Sequence, residues 1–277
     1  EIADCAGHAP LRVRGRPLHG IDYELPVASA QVKSAILLAG LLAAGPTTTR
    51  SPAISRDHTE RMLGARGACL HVDGPVVSIE PAASLAPLDF VVPGDISSAA
   101  FLLVAGAAVP GSDIVVRNVG LNPTRTGILD VLQSMGADIA VLDQREVGGE
   151  PAGDVRVRAG ALRGVEIAGD MIPRLIDEIP ILATIATQAE GATIIRDAAE
   201  LRVKETDRIE GVVSQLRRLG AQIEGRPDSM LIEGPGRLVG AAVTGGGDHR
   251  VIMSLLIAGL LASGSTTVDG VEFIPDS

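Results

Sequence analysis

Ala30-Gln-Val-Lys-Ser-Ala-Ile-Leu-Leu-Ala-Gly-Leu-Leu-Ala-Ala-Gly-Pro-Thr-Thr-Thr49 is an almost wholly apolar stretch of about three helical turns, then a glycine, then a β-branched run. Apolar residues on every side predict a buried helix, Gly45 ends it, and Thr47-Thr-Thr predicts a strand. The same layout returns at Ser98 to Val116, Pro180 to Ile195 and Arg250 to Val268, with Gly111, Gly191 and Gly264 in the place of Gly45. Four copies at wide, similar intervals mean one supersecondary unit used repeatedly.

Outward from each copy the rest of the unit follows. After the first three strands comes an amphipathic helix ending in Gly-Ala: Thr59 to Arg66, Thr124 to Met135 and Glu205 to Leu219. In the last, Ile209, Val212, Val213, Leu216 and Leu219 form one apolar stripe, so this helix lies on the surface while its partner is buried all round. Two short strands close each unit, and Leu11-Arg-Val-Arg-Gly-Arg-Pro-Leu-His-Gly-Ile matches Val155-Arg-Val-Arg-Ala-Gly-Ala-Leu-Arg-Gly-Val. The predicted unit is βαβαββ, with sheets outside and apolar helices inside. No Gly-rich nucleotide loop stands at a strand-to-helix turn. By the repeat, residues 1 to about 25 are the closing strands of a unit whose helices are absent, and the last unit stops before its surface helix. The chain is therefore expected to be cut at both ends.

Composition narrows the function. The 277 residues are 46% hydrophobic, with no Trp, one Tyr and three Phe, and mean hydropathy is +0.30. The cores must then be built from Val, Ile, Leu and Ala. A net charge of -10 argues against a nucleic-acid surface, although it permits a small basic pocket. Cys5 and Cys69 are too few for a disulfide scaffold and are expected to be structural thiols; the five histidines form no metal-binding spacing, so no metal is expected. The acidic start at Glu1-Ile-Ala-Asp gives no expectation of a secretory leader. The apolar runs Ala35 to Ala44 and Val251 to Ala262 are too short to span a bilayer and are expected to be buried helices.

Polar residues collect at helix starts. Before the buried helices stand Ser29-Ala30-Gln31, Asp95-Ile-Ser-Ser98, Asp177-Glu178 and Asp248-His249-Arg250; at the surface helices stand Ser55-Arg56-Asp57-His58, Asn122-Pro-Thr124-Arg125 and Arg202 to Arg208. Capping accounts for Asp95, Ser98, Asp57 and Thr124 taken singly. It does not account for Arg56, Arg125, Lys204, Arg208 and Arg250, because the helix dipole disfavours cations there. Cations beside free N–H groups are what phosphates and carboxylates need, the alternative being ordinary surface ion pairs among Arg202, Lys204, Glu205, Asp207 and Arg208. Asp177 fits equally well as a cap and as a base or acid, and Glu178 fits catalysis less well.

Seven stretches carry a resemblance to a known family: Leu25-Pro-Val-Ala-Ser-Ala-Gln-Val-Lys-Ser-Ala, Ser55-Arg-Asp-His-Thr-Glu, Pro93-Gly-Asp-Ile-Ser-Ser-Ala, Asn122-Pro-Thr-Arg-Thr-Gly, Ile176-Asp-Glu-Ile-Pro-Ile-Leu, Glu200-Leu-Arg-Val-Lys-Glu-Thr-Asp-Arg and Asp248-His-Arg. Taken in order they resemble the EPSP synthases. The resemblance implies a two-domain inside-out α/β barrel, or prism, of βαβαββ units, with residues 1–92 in one domain and 93–277 in the other. It implies transfer of the enolpyruvyl group of phosphoenolpyruvate to the 5-hydroxyl of shikimate 3-phosphate in a cleft between the domains, with no cofactor, in a cytoplasmic monomer that binds neither nucleic acid nor membrane. It further implies that Ser29, Ala30, Gln31 and Arg56 bind shikimate 3-phosphate, with Gln31 also near the enolpyruvyl side. Asp177 would take the 5-hydroxyl proton beside Lys204, Glu205 would transfer protons at the methylene, and Arg208 and Arg250 would clamp phosphoenolpyruvate with His249 orienting Arg250. The family's opening Gly-Ser-Lys-Ser segment, an Arg-bearing stretch and a late lysine have no match, so the 277-residue chain alone is expected to bind but turn over little or nothing. UDP-N-acetylglucosamine enolpyruvyl transferases share the implied fold but lack the Arg-Val-Lys-Glu-Thr-Asp-Arg pattern.

Overall fold

The computed structural model describes residues 2–6 and 8–276. The chain divides into two compact units, Glu1–Phe90 and Val91–Ser277.

The first unit opens with an antiparallel hairpin of Ile2–Cys5 and His8–Val13; the side chain of Cys5 lies outside the described residues. Strand Asp22–Glu24 then leads into α1 (Ala30–Gly40), strand Thr47–Arg50, α2 (His58–Ala65) and the strands Leu70–Asp73 and Val76–Ile79. The first two strands of this sheet pair in parallel, and Val76–Ile79 inserts antiparallel between Thr47–Arg50 and Leu70–Asp73. That is one complete βαβαββ unit. Its small core joins Leu37 of α1, Leu63 of α2, and Val77 and Ile79 of the sheet.

The second unit repeats the pattern. α3 (Ile96–Ala108), strand Asp113–Gly120, α4 (Gly127–Ser134) and strands Asp138–Val147 and Glu150–Arg158 form one copy, in which the leading strand has shrunk to a single parallel bridge between Gly94 and Val119. Glu166–Ile167, α5 (Met171–Leu175), a 3-10 turn at Ile176–Glu178, α6 (Ile179–Ala186), Gly191–Ile195, α7 (Arg208–Arg218), Gln222–Gly225 and Met230–Gly234 form the next. Its strand order and directions repeat those of the first unit's sheet. Ala242–Thr244, α8 (His249–Leu261) and Thr267–Asp269, again parallel, begin another. α3, α6 and α8 pack on one another, and one continuous apolar core runs from Ile96 to Ala258. The sheets surround these helices and stay open among the described residues. This is the inside-out arrangement that the repeat predicts: helices within, sheets without.

The repeat reaches atomic detail at three glycines. A Cβ on Gly20 would lie 2.1 Å from the Pro46 carbonyl oxygen, on Gly164 2.2 Å from that of Ala192, and on Gly240 2.2 Å from that of Ser265. At each, the backbone entering the unit crosses the turn leaving its first helix too closely for any side chain.

Three expectations need correction. Gly45, Gly111, Gly191 and Gly264 do take positive φ, between 80° and 106°, but the helices end three to five residues earlier, at Gly40, Ala108, Ala186 and Leu261. The glycines turn the chain toward the strand; the helices have already stopped. Only α6 is buried along its whole length. α1 leaves Val32 and Leu38 exposed, α3 leaves Leu102, and α8 leaves Leu256 and Leu260, since each packs through part of its circumference. Finally, Cys69 is exposed and contributes nothing to the core.

No helix among the described residues is long and apolar enough to cross a membrane.

Candidate functional site

In the first unit the site residues sit where α1 and α2 begin. Ser29 has extended backbone and its hydroxyl accepts from the Val32 N–H at 3.3 Å, so it caps α1 and sets Ala30 and Gln31 in the first turn. Lys33, one turn on, is 4% exposed. Its ammonium lies 2.5 Å from Glu60 Oε1 of α2 and donates to the Ser55 carbonyl at 3.5 Å, while the Ser34 and Thr59 hydroxyls meet at 2.7 Å. A buried cation thus holds the loop that carries Arg56. Ala30, Gln31, Ser34, Leu38, Arg56 and His58 line an open concavity of about 480 Å³. Asp57 occupies the start of α2 but caps nothing through its side chain; it pairs with Arg61 at 2.8 Å.

In the second unit the starts of α3, α4, α6, α7 and α8 contribute. Asp95 caps α3: its Oδ1 accepts from the Ser97 N–H at 3.0 Å and from Arg125 Nη2 at 2.6 Å, and Arg125 also donates to Ser97 Oγ at 2.7 Å. Ser98, expected as a cap, lies inside the helix. Arg125 is placed by Asn122, whose Oδ1 accepts from both the N–H and the hydroxyl of Thr124 at 2.8 and 2.7 Å. This Asx turn holds 122–125 out of the helix, so α4 starts at Gly127 and not at Thr124. Asp207 likewise delays α7, accepting from the Glu210 N–H at 3.0 Å; the helix begins at Arg208 and not at Glu205.

Arg208 is the centre of the arrangement. It is 1% exposed, and its Nε donates to Asp248 Oδ2 at 2.8 Å, its Nη1 to Asp177 Oδ1 at 3.2 Å and its Nη2 to Glu205 Oε2 at 2.5 Å. Burial by itself would favour loss of its proton, but the Asp248 hydrogen bond and the three negative charges hold its pKa above the ordinary arginine value. Asp248, fully buried, does double duty: its other oxygen caps α8 through the N–H groups of Arg250 and Val251 at 3.0 and 3.4 Å. His249 is nearly buried and Arg250 half-buried at the same helix start. Glu178 is 2% exposed, and burial pushes its carboxyl up against a lowering hydrogen bond from Ser97 and the attraction of Arg250 and Arg125.

The structure therefore gathers Asp177, Glu205 and Arg208 on one hub and sets Glu178 beside Arg250. Lys204 is not brought to Asp177; its ammonium bonds Glu200, one helical turn back. Sequence reasoning left out Lys33 and Asp248 as site-builders. The signal for Asp248 was its place ahead of two site residues at a helix start, and for Lys33 its place in an otherwise apolar helix.

Repeated βαβαββ units with their apolar helices inside, and arginines and carboxylates collected at the helix starts, define the inside-out α/β class. The EPSP synthase (3-phosphoshikimate 1-carboxyvinyltransferase) profile matches residues 1–277, and the chain belongs to that family. It is 56% identical over 269 residues to the 3-phosphoshikimate 1-carboxyvinyltransferase of Geobacter sulfurreducens, covering 97% of this chain and 63% of that protein. To that of Gloeobacter violaceus it is 58% identical over 262 residues, covering 95% and 61%. A solved EPSP synthase from Acinetobacter baumannii superposes with a TM-score of 0.92 at 42% identity, over 99% of this chain and 64% of that one. The chain thus spans less than two thirds of the length of these relatives.

Proposed function

We propose that this chain carries the substrate-binding and proton-transfer groups of a 3-phosphoshikimate 1-carboxyvinyltransferase, acting on shikimate 3-phosphate and phosphoenolpyruvate. The supporting observation is the Arg208 hub: a buried guanidinium whose carboxylate partners, Asp177 and Glu205, are the two groups the reaction needs for moving protons. In this reading residues 1–92 supply the shikimate-phosphate side through Ser29, Ala30, Gln31 and Arg56, and residues 93–277 supply the rest.

Asp177 takes the proton of the 5-hydroxyl as its oxygen attacks C2 of phosphoenolpyruvate, and Glu205 delivers a proton to the C3 methylene. The resulting tetrahedral adduct keeps its phosphate until Glu205 takes a proton back from the new methyl group. The C2–C3 double bond then re-forms and phosphate leaves with the C2–O electrons and the proton that Asp177 had taken up, which returns both carboxyl groups to their starting states. Arg208 and Arg250, with His249 beside Arg250, hold the carboxylate and phosphate of the donor, and Lys204 turns from Glu200 to the shikimate hydroxyls. Cations already fixed by buried partners need no reorganisation as charge shifts. The protein works in the cytoplasm as a monomer, without nucleic-acid partners.

Titration calorimetry with shikimate 3-phosphate tests the reading. Saturable binding is expected, weakened by about 1.5–3 kcal/mol in Arg56→Ala, the worth of a hydrogen bond to a charged group. Binding unaffected by Arg56→Ala would overturn it.

A further inference from the structure

Two buried polar atoms have no hydrogen-bond partner among the described residues: Glu178 Oε1, at the start of α6, and Arg250 Nη1, in the first turn of α8. Arg250 is near enough to attract the Glu178 carboxylate, and an acceptor and a donor both buried and left open mark a place kept for a third group. Every packed element brings charge to it. α3 brings Ser97, bonded to Glu178, and Asp95, tied to Arg125 from the turn before α4. The turn of Glu178 itself brings Asp177, which is tied to Arg208 of α7; α8 brings Asp248, His249 and Arg250. Asp95 is paired with Arg125, and Asp177 and Asp248 share the Arg208 guanidinium with Glu205. Among the described residues Glu178 has no ion-pair partner. An anion arriving at Arg250 would therefore meet, in a water-poor site, a buried carboxylate with no cation bonded to it and one oxygen open, where like charges cannot both persist.

We propose that Glu178 is a positioning residue that takes up one proton from solvent when an anion binds at Arg250 and Arg125, its neutral carboxyl leaving both guanidinium groups to the anion. This rests on reading the cluster as an anion site. Burial already biases Glu178 toward the neutral form, so the anion completes a shift that the fold has begun.

Sulfate is the probe, because it stays fully ionised across neutral pH. Calorimetric titration of the 277-residue chain with sulfate, in two buffers of different ionisation enthalpy, reads the protons taken up. Wild type is expected to take up close to one proton per sulfate, with affinity falling about tenfold per pH unit above the titration of the free carboxyl. Glu178→Gln is expected to bind with no uptake and no such slope. Sulfate-induced infrared difference spectra of wild type, expected to show a protonated-carboxyl C=O band, give a readout that needs no variant. Uptake unchanged in Glu178→Gln, or lost instead in His249→Asn, overturns the proposal while leaving the anion site standing, as does absence of the infrared band on saturation. Sulfate affinity untouched by Arg250→Ala removes the anion site itself, and the proposal with it.

Discussion

Arg208 shows what one buried side chain can organise when it bonds three carboxylates, one of them fully buried. Removing it strands Asp248, which is fully buried; breaking a buried pair in this way costs about 3–5 kcal/mol. Arg208→Ala is expected to lose that much in urea denaturation, and a loss under 1 kcal/mol, the range of exposed ion pairs, would show that the hub is not structural. Glu178 makes a prediction of the opposite kind. Its carboxyl is raised in the fold, so the native state holds the proton more tightly than the unfolded chain does. Its contribution to stability is complete below the ordinary carboxylate range and disappears as pH rises through the raised value. Melting temperatures followed from about pH 4 to about pH 8 should decline less in Glu178→Gln than in wild type; parallel curves would contradict the assignment. From sequence, Asp177 and Glu178 are adjacent carboxylates one methylene apart in length. Which of them is buried depends on how the 3-10 turn at Ile176–Glu178 meets α3 and α8, and no local pattern encodes that.

At the level of elements, the interiors of the helices were legible and their beginnings were not. Apolar periodicity located all four buried-type helices, because burial is written into composition over three turns. The starts of α4 and α7 were misplaced by three residues each, because Asn122 and Asp207 bond backbone N–H groups and hold the chain in turns that side-chain pattern does not reveal. Incomplete burial of α1 was also invisible, since an apolar residue reads the same on a covered face and an open one. The Lys33–Glu60 pair between α1 and α2 is the element-scale device that fixes the Arg56 loop. With side chains 5% and 7% exposed, it is costly to bury and costlier to break. Lys33→Met is expected to lose about 3–5 kcal/mol, and Lys33→Met with Glu60→Leu to regain most of it. Both proteins should bind shikimate 3-phosphate more weakly than wild type. A double variant that is less stable than either single one would refute this account of the pair.

Across the whole molecule, the repeat was the most legible feature, because an interval shared by four segments survives errors about any one of them. The division into Glu1–Phe90 and Val91–Ser277 gives cores of very different size: four fully buried apolar residues gather in the first unit, and the second has a continuous core from Ile96 to Ala258. Hydrogen exchange in rising urea should therefore show α1 and α2 losing protection before α3, α6 and α8. Simultaneous loss would mean that the units unfold as one. The three backbone crossings at Gly20, Gly164 and Gly240 bear on descent as well as on packing. A sequence can drift until its internal copies no longer align, yet an oxygen a little over 2 Å from where a Cβ would stand allows no drift at those positions. In a saturation-mutagenesis map they should appear as three columns of the same shape, a record of duplication that outlasts the resemblance between the copies.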